Sequence, residues 1–530
     1  IGSSNELKGS DTAEFYQAQS DAVRNDSFNW NTTLNEAMDK TGGNASFVVS
    51  AGDQIQTTKK KSPGKSEMTS EIEYTGYLSP DVLKSLPVAT TVGNHDADNA
   101  NYTYHFNTPN SSDLGSNGVV GGDYYFTYGN TLFMMLNTQD TNAAEHKQFM
   151  EQAIAANPNC TWRVVTLHQD IYGSAEHSNE PEITNLRYTL VPDLEANDVD
   201  VVRAGHDHAY SRTHILEGGH KTVEYTDDEF DAELDKDMDA GENPATRYEA
   251  PANISADSKE PADVAYLNYL NAVMDKDAVE DTEKGETVVN PDGILYMTAN
   301  SSSGSKYYDL VPRMQSYIAN RWQEDVPTYS VIDVTDNTFT INTYRTDNDQ
   351  KIDETFTIKK GVTEDIKSAS VGKVKNQIYT GKQIQPALKV TLNGKTLKAG
   401  KDYTVTYTDN KNTGLAKATI NGIGKYTGTQ TVTFKIVPKK AVLKTVKAGK
   451  SGTATVTIGK ASGKVSGYAI QVSTDSSFKK VTTYRTAKTT YTLKNLSKGK
   501  TYYVRVKAFT KVSDKNVYGA ASKTIKVKAK

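Results

Sequence analysis

The sequence predicts an α/β domain followed by two all-β sandwiches. Three observations carry that prediction. Strand-sized apolar runs alternate with helical patterns over residues 1–217. The charge then reverses. Residues 361–530 hold 34 Lys plus Arg against 6 Asp plus Glu, a net of +28, and the chain totals of 60 and 65 leave 26 against 59, a net of −33, for residues 1–360. All nine histidines, all three tryptophans and the one cysteine, Cys160, also lie within those first 360 residues. At 530 residues the chain is too long for one core. Its chemistry is expected in the first part.

The elements follow in order. DTAEFYQAQSDAVRN, AAEHKQFMEQAIAAN and ITNLRYTLVPDLEAN read as helices. Between them SFVVSAGDQ (Ser46 to Gln54), LPVATTVGNHD (Leu86 to Asp96), WRVVTLHQD (Trp162 to Asp170) and VDVVRAGHDH (Val199 to His208) read as buried strands, each stopping in a polar cluster. Residues 218–289 are an acidic insertion, read as a solvated flap, helical around ADVAYLNYLNAVMDK. Strands resume at DGILYMTANSSSGS and close the first domain near Lys360. After the linker GVTEDIKSAS, residues 371–438 and 441–530 alternate Val, Ile, Thr and Tyr with Gly, Asn and Lys turns, each the size of a small β-sandwich.

Some classes are excluded. The apolar runs are too short for a membrane-spanning helix. One cysteine allows no internal disulfide and no thiolate metal site. No signal peptide is visible, and a chain opening on Ile1 is expected of a processed or shortened product. Lysines spread along strands without an aromatic stacking platform argue against nucleic acid as a partner.

The chemistry sits where the strands end, which is where α/β sheets gather ligands. A lone histidine is more often structural, and an aspartate after glycine can simply cap a turn. Here four consecutive strands end in Asp53, in Asn94 and His95, in His168, and in His206 and His208. Nitrogen and oxygen donors without thiolate suit Zn, Mn, Fe or Co. Asp53 could bridge two such ions, which together would clamp a phosphoryl oxygen and lower the pKa of a bridging water. A further imidazole could protonate a leaving oxygen.

GDQIQ, GNHD, His168 and GHDHAYSR, taken in that order, resemble the calcineurin-like metallophosphoesterases. The purple acid phosphatase branch is the nearest. Its GHxHxYxR signature is matched by Gly205 to Arg212, and GNTLFMMLNTQ and LHQDIYGSAEH also look like that branch. The resemblance covers residues 1–360. It implies a four-layer α-β-β-α sandwich, two divalent or trivalent metal ions (Mn, Zn or Fe), and a phosphomonoester or phosphodiester substrate attacked by metal-bridged hydroxide. Asp53 would bridge the metals, Asn94, His168 and His206 would complete one site, and His208 would serve the other. His95 would face the leaving group with Asp96 hydrogen-bonded to it, and His177 and Arg212 would bind phosphate or orient the site.

Two departures change what is implied. Gln56 stands where purple acid phosphatases carry the tyrosine that binds Fe(III). The family also begins with a strand ending in an aspartate motif, and none precedes Ile1. The expectation is therefore a sandwich without its first strand and an enzyme impaired at one metal site. Residues 371–438 resemble bacterial Ig-like repeats through Tyr379-Thr380-Gly381-Lys382, Asp402 to Tyr407 and Tyr426-Thr427-Gly428-Thr429. Residues 441–530 resemble a fibronectin type III domain, with Leu496 and Tyr502 at its turn and Lys498 where proline usually stands. These companions imply a secreted or cell-surface bacterial protein. The charge of +28 suits an anionic cell-wall polymer such as teichoic acid. The competing reading is a surface adhesion protein with a remnant phosphoesterase domain.

Overall fold

A computed structural model describes residues 1–2, 13–57, 70–98, 100–218, 225–239, 254–274, 278–280 and 287–530. Two units divide it, Ile1–Lys360 and Gly361–Lys530. None of its described helices is long and apolar enough to cross a membrane.

The first unit runs α1 (Ala13–Lys40), β1 (Val48–Ser50), α2 (Glu71–Tyr77), β2 (Val88–Thr90), α3 (Tyr102–His105), β3 (Tyr124–Tyr128), β4 (Thr131–Met135), α4 (Ala143–Ala156), β5 (Trp162–Thr166), α5 (Pro181–Ala196), β6 (Val201–Ala204) and β7 (Tyr210–Leu216). Then come α6 (Asp227–Asp239), α7 (Pro261–Met274), β8 (Thr287–Val289), β9 (Ile294–Thr298), β10 (Ile318–Trp322), β11 (Thr328–Val334), β12 (Thr338–Arg345) and β13 (Phe356–Lys359). Seven strands form one sheet in the order β10-β7-β9-β6-β5-β4-β3. Four form a second, β11-β12-β13-β8, and β1 pairs with β2 in parallel. Every residue of β4 and β9 is buried, as expected of strands covered on both faces. On one face Leu132, Met134, Val165 and Val202 pack against Phe149, Leu186 and Leu190 of α4 and α5. On the other, Phe133, Trp162, Val164 and Leu295 meet Phe339, Ile341, Phe356 and Ile358 of the second sheet. α1 covers β1 and β2 through Val23, Trp30 and Leu34.

Three sequence expectations are corrected. The first helix continues to Lys40 because Val23, Asp26, Trp30, Thr33 and Leu34 extend its buried stripe, with the Trp30 indole donating to the Tyr77 carbonyl at 2.9 Å. Residues 3–12, where that helix was expected to begin, lie outside the described residues. Second, β1 and β2 are only half-buried. β1 pairs only with β2 among the described residues. Third, the acidic insertion is more than a flap where it is described. Phe230 and Leu234 of α6 close on Tyr269, Leu270 and Val273 of α7 and on Val311, a small core of its own. It docks on α5, where the Tyr188 hydroxyl and the Arg187 guanidinium donate to the Ala272 carbonyl.

A buried ion pair also braces this unit. His146 Nδ1 lies 2.7 Å from the Asp123 carboxylate, both fully buried, and Asp123 also accepts from the Asn137 N–H at 2.8 Å. Burial works to lower the His146 pKa, but the hydrogen bond and charge of Asp123 outweigh it and leave it raised. Its contribution is thus complete below the ordinary imidazole value and fades as pH rises through the raised native one. Replacing His146 with Ala leaves Asp123, whose pKa burial already raises, without its partner, at a cost of up to about 3–5 kcal/mol. Urea midpoints test this: the gap in stability between wild type and His146→Ala should be wider at about pH 6 than at about pH 9.

The second unit holds two sandwiches. Residues 370–437 pair a three-stranded with a four-stranded sheet, closed around Val390, Tyr403, Ile420, Ala418 and Phe434. Residues 442–528 pair a three-stranded with a five-stranded sheet around Val456, Ile470, Leu493, Val504 and Val506. There the Tyr502 hydroxyl accepts from the Ser497 backbone N–H at 2.9 Å, making the corner its position in the turn leads one to expect.

Candidate metal centre

The four polar clusters meet at the carboxyl ends of β1, β2, β5 and β6. Donor atoms of Asp53, His168 and His206 lie within 4.8 Å of one another. His168 Nε2 is 3.3 Å from Asp53 Oδ2 and 3.0 Å from Asn94 Oδ1, and 3.2 Å from His206 Nδ1. The backbone is bent to achieve this. Asp53, His206 and His208 all have positive φ, at 54°, 70° and 49°, a cost of about 1–3 kcal/mol each that surrounding contacts must hold in place. Close approach also demands two glycines. A Cβ on Gly52 would strike the His168 ring, and one on Gly93 would strike the Asp53 carboxylate.

Three imidazoles are each pinned through Nδ1 by a backbone carbonyl. His168 bonds Ala51 at 2.7 Å, His95 bonds Gln56 at 2.8 Å, and His208 bonds Lys306 at 2.9 Å. A carbonyl can only accept, so Nδ1 carries the proton and Nε2 is left to face outward. This is the arrangement that orients metal-ligating histidines.

The electrostatics agree. Burial resists ionisation of Asp53, yet His168 and His95 outweigh it and hold its carboxyl far below the usual range. Burial, reinforced by His168 and His177, presses His206 down to about 2, and burial takes His208 to about 4. Both stay neutral, the form in which a ring nitrogen can hold a cation.

The other expected residues divide. His95 belongs here: its N–H donates to Asp53 at 3.0 Å and its Nε2 lies 4.0 Å from that carboxylate. His177 packs its ring on His206 at 4.7 Å and edge-on to Tyr308 at 4.6 Å, with Nδ1 on Glu180 at 2.7 Å. Asp96 is corrected. It accepts from the N–H groups of Gly93 at 3.0 Å and Gln54 at 3.4 Å rather than from His95, clamping the two loops. Burial and the Asp53 charge raise its pKa to about 8. Arg212 was expected to bind phosphate or to orient the site; its fork grips Asp353 at 2.6 and 3.0 Å over the Phe356 ring, which favours the bracing role.

Sequence reasoning missed Asp207 and Asp170. Asp207, between the two histidines of GHDH, is fully buried and accepts from the N–H groups of Ala175, His177 and Ser178 at 2.9, 3.0 and 3.3 Å. It ties the loop carrying His177 to the turn carrying His206. Burial and the Asp207 charge hold the buried Asp170 carboxyl well above the usual carboxyl range. Adjacent carboxylates in two quoted motifs were the available signal. Tyr308, 5.1 Å from His208 between ring centroids, gave none.

Residues 25–210 match the family model for the calcineurin-like phosphoesterases. They form a calcineurin-like phosphoesterase domain. Residues 443–524 likewise match the fibronectin type III domain. The chain is therefore a mixed α/β metallophosphoesterase fold followed by a β-rich region. Two uncharacterized proteins from two strains of Mycobacterium tuberculosis are each 26% identical over 156 residues, 25% of this chain and 29% of theirs. The chain thus spans under a third of the length of the curated relatives it matches. A purple acid phosphatase from yellow lupin seeds superposes with a TM-score of 0.41 at 13% identity, covering 62% of this chain and 49% of that one. The sixth fibronectin type III domain of human fibronectin type III domain containing protein 3 covers 17% of this chain and 85% of its own, with a TM-score of 0.15 at 21% identity.

The phosphoesterase family implies divalent metal ions. The residues fit them: Asp53, Asn94, His168 and His206 supply one carboxylate, one amide oxygen and two imidazoles, a set suited to first-row transition metals.

Proposed function

We propose that this protein hydrolyses phosphate esters at the centre between β1, β2, β5 and β6. The observation that carries the reading is the convergence of Asp53, Asn94, His168 and His206 with the His168 tautomer fixed by Ala51. Metal ions held there would supply Lewis acidity and a nucleophile at neutral pH. Asp53, Asn94, His168 and His206 would hold one ion, and His208 would contribute to a second, with Mn, Zn and Fe the favoured identities.

The chain's own groups do the rest. With Nδ1 on the Gln56 carbonyl and Nε2 4.0 Å from Asp53, His95 can carry a proton on Nε2 and give it to the leaving oxygen. His177, braced by Glu180, Tyr308 and Asp207, meets the phosphate beside His206. Tyr308 and the carbonyl of Lys306 wall the site at His208.

The test is release of p-nitrophenol from p-nitrophenyl phosphate and from its bis-ester, with Mn, Zn or Fe supplied. Hydrolysis should require metal, and His95→Ala should lower kcat by about 10²–10⁴-fold. Activity indifferent to both chelator and His95→Ala would remove the assignment. The ratio of the two substrates reads out monoester against diester preference.

A further inference from the structure

The fibronectin type III unit carries an excess of positive charge that the phosphoesterase reading does not use. Residues 441–530 contain 20 Lys plus Arg against 2 Asp plus Glu. Asp475 is spent within its own turn, accepting from the Ser477 N–H at 3.0 Å and the Lys479 N–H at 3.2 Å. Asp514 sits in a hairpin turn between Thr501–Val512 and Lys515–Tyr518.

Strand alternation sorts the cations. In the larger sheet Thr482–Thr486 pairs with Gly467–Ser473, which pairs with Thr501–Val512, which pairs with Ile525–Lys528. Tyr468, Ile470, Val504, Val506 and Val527 face the core. The period of two therefore sends Arg485, Tyr503, Arg505, Lys507, Lys526 and Lys528 to the opposite, solvent face. Register sets them in rows. Arg485 lies opposite Ala469 and Ala469 opposite Lys507; Gln471 lies opposite Arg505; Tyr503 lies opposite Lys526; and Thr501 lies opposite Lys528. Neighbouring cations are thus spaced by about 5–10 Å across strands and about 7 Å along them. Among the described residues no carboxylate stands on this face. Arg505 is already oriented: its guanidinium lies 4.0 Å over the Phe478 ring and its Nε donates to Gln471 at 2.7 Å.

We propose that this face docks a linear polyol-phosphate polyanion. Five like charges on one flat sheet repel one another, and a chain of regularly spaced anions relieves that repulsion while releasing its own counterions. A guanidinium fork takes two oxygens of one phosphate, and ammonium groups take the next along the chain. Carboxylate polymers offer the fork only one anion geometry and no tetrahedral oxygens for the flanking lysines. Nucleic acid would add base stacking; Phe478 lies beneath Arg505 and the Tyr518 hydroxyl accepts from Arg485, which leaves Tyr503 as the ring set among the cations, so single-stranded DNA of matched charge is the competing ligand in the test.

The experiment measures binding of the full chain to poly(glycerol phosphate) from low to physiological salt, with chelator present so that hydrolysis plays no part. Arg485→Gln, Lys507→Gln, Lys526→Gln and Lys528→Gln together should lower the slope of log K against log salt by about 3. Affinity at about 0.1 M salt should fall at least about tenfold. Lys444→Gln, Lys447→Gln, Lys450→Gln and Lys494→Gln remove the same charge elsewhere on the domain and should leave the slope within about one unit. If the first variant unfolds, Lys526→Gln with Lys528→Gln, both exposed, should still lower the slope by about 1.5. Equal weakening by the two sets, absence of binding at low salt, or tighter binding of polyglutamate or single-stranded DNA of matched charge would each overturn the proposal. Because no turnover is read, this result is independent of whether the phosphoesterase reading stands.

Discussion

Replacing His168 with Ala is expected to abolish tight metal binding, lowering affinity by at least about 100-fold. The measurement is bound metal per chain after dialysis. His168 is the one ring that touches all three companions, with Nε2 3.3 Å from Asp53, 3.0 Å from Asn94 and 3.2 Å from His206. It is also almost wholly buried and fixed through Ala51. Loss of the ring removes a ligand and leaves Asp53 without its nearest imidazole, 3.3 Å away. p-Nitrophenyl phosphate hydrolysis should fall in parallel. Arg212→Ala is the informative comparison. Its guanidinium is held by Asp353, so that variant should lower the melting temperature while leaving metal stoichiometry unchanged. Metal retained by His168→Ala would remove the centre from the fold.

Much of that centre was legible in the sequence because its signals are local. SFVVSAGD, LPVATTVGNHD, WRVVTLH and VDVVRAGHDH each couple a β-branched run to a polar stop, and the strands β1, β2, β5 and β6 fall inside them. What was not legible depends on partners distant in sequence. Arg212 sits inside a motif shared with phosphatases, but its salt bridge is to Asp353, 141 residues away, and only the packing of β7's sheet on the second sheet brings them together. Asp96 follows His95 directly, yet the turn Asn94–Asp98 points its carboxylate back at the N–H groups of Gly93 and Gln54. The insertion looked solvated because its acidic residues dominate its composition. Its buried stripe, Phe230 and Leu234 against Tyr269, Leu270 and Val273, is split between two helices and appears only when they close. Length also misled: α1 runs on to Lys40 and buries side chains as far as Leu34, well beyond the sequence pattern that first suggested it.

Asp207→Ala is expected to cost about 3 kcal/mol or more, since it leaves the N–H groups of Ala175, His177 and Ser178 without their acceptor. Denaturant midpoints measure that term. The functional consequence is separable with Asp207→Asn, which keeps the shape but replaces one accepting oxygen with a donor. That amide must face at least one of the N–H groups of Ala175, His177 and Ser178, so the loop should move away from the turn at His206. Asp53, Asn94 and His168 hang from β1, β2 and β5 through contacts that do not involve Asp207, so metal stoichiometry should survive. His177, by contrast, rests on His206 only while that loop is held. Asp207→Asn should therefore raise KM for a phosphate ester at least about tenfold, a loss of about 1.4 kcal/mol of binding, with a smaller change in kcat. A merely structural aspartate would lower stability and leave KM alone. Equal KM values in wild type and Asp207→Asn would show that His177 reaches phosphate without this tether, and the loop's role would then reduce to packing.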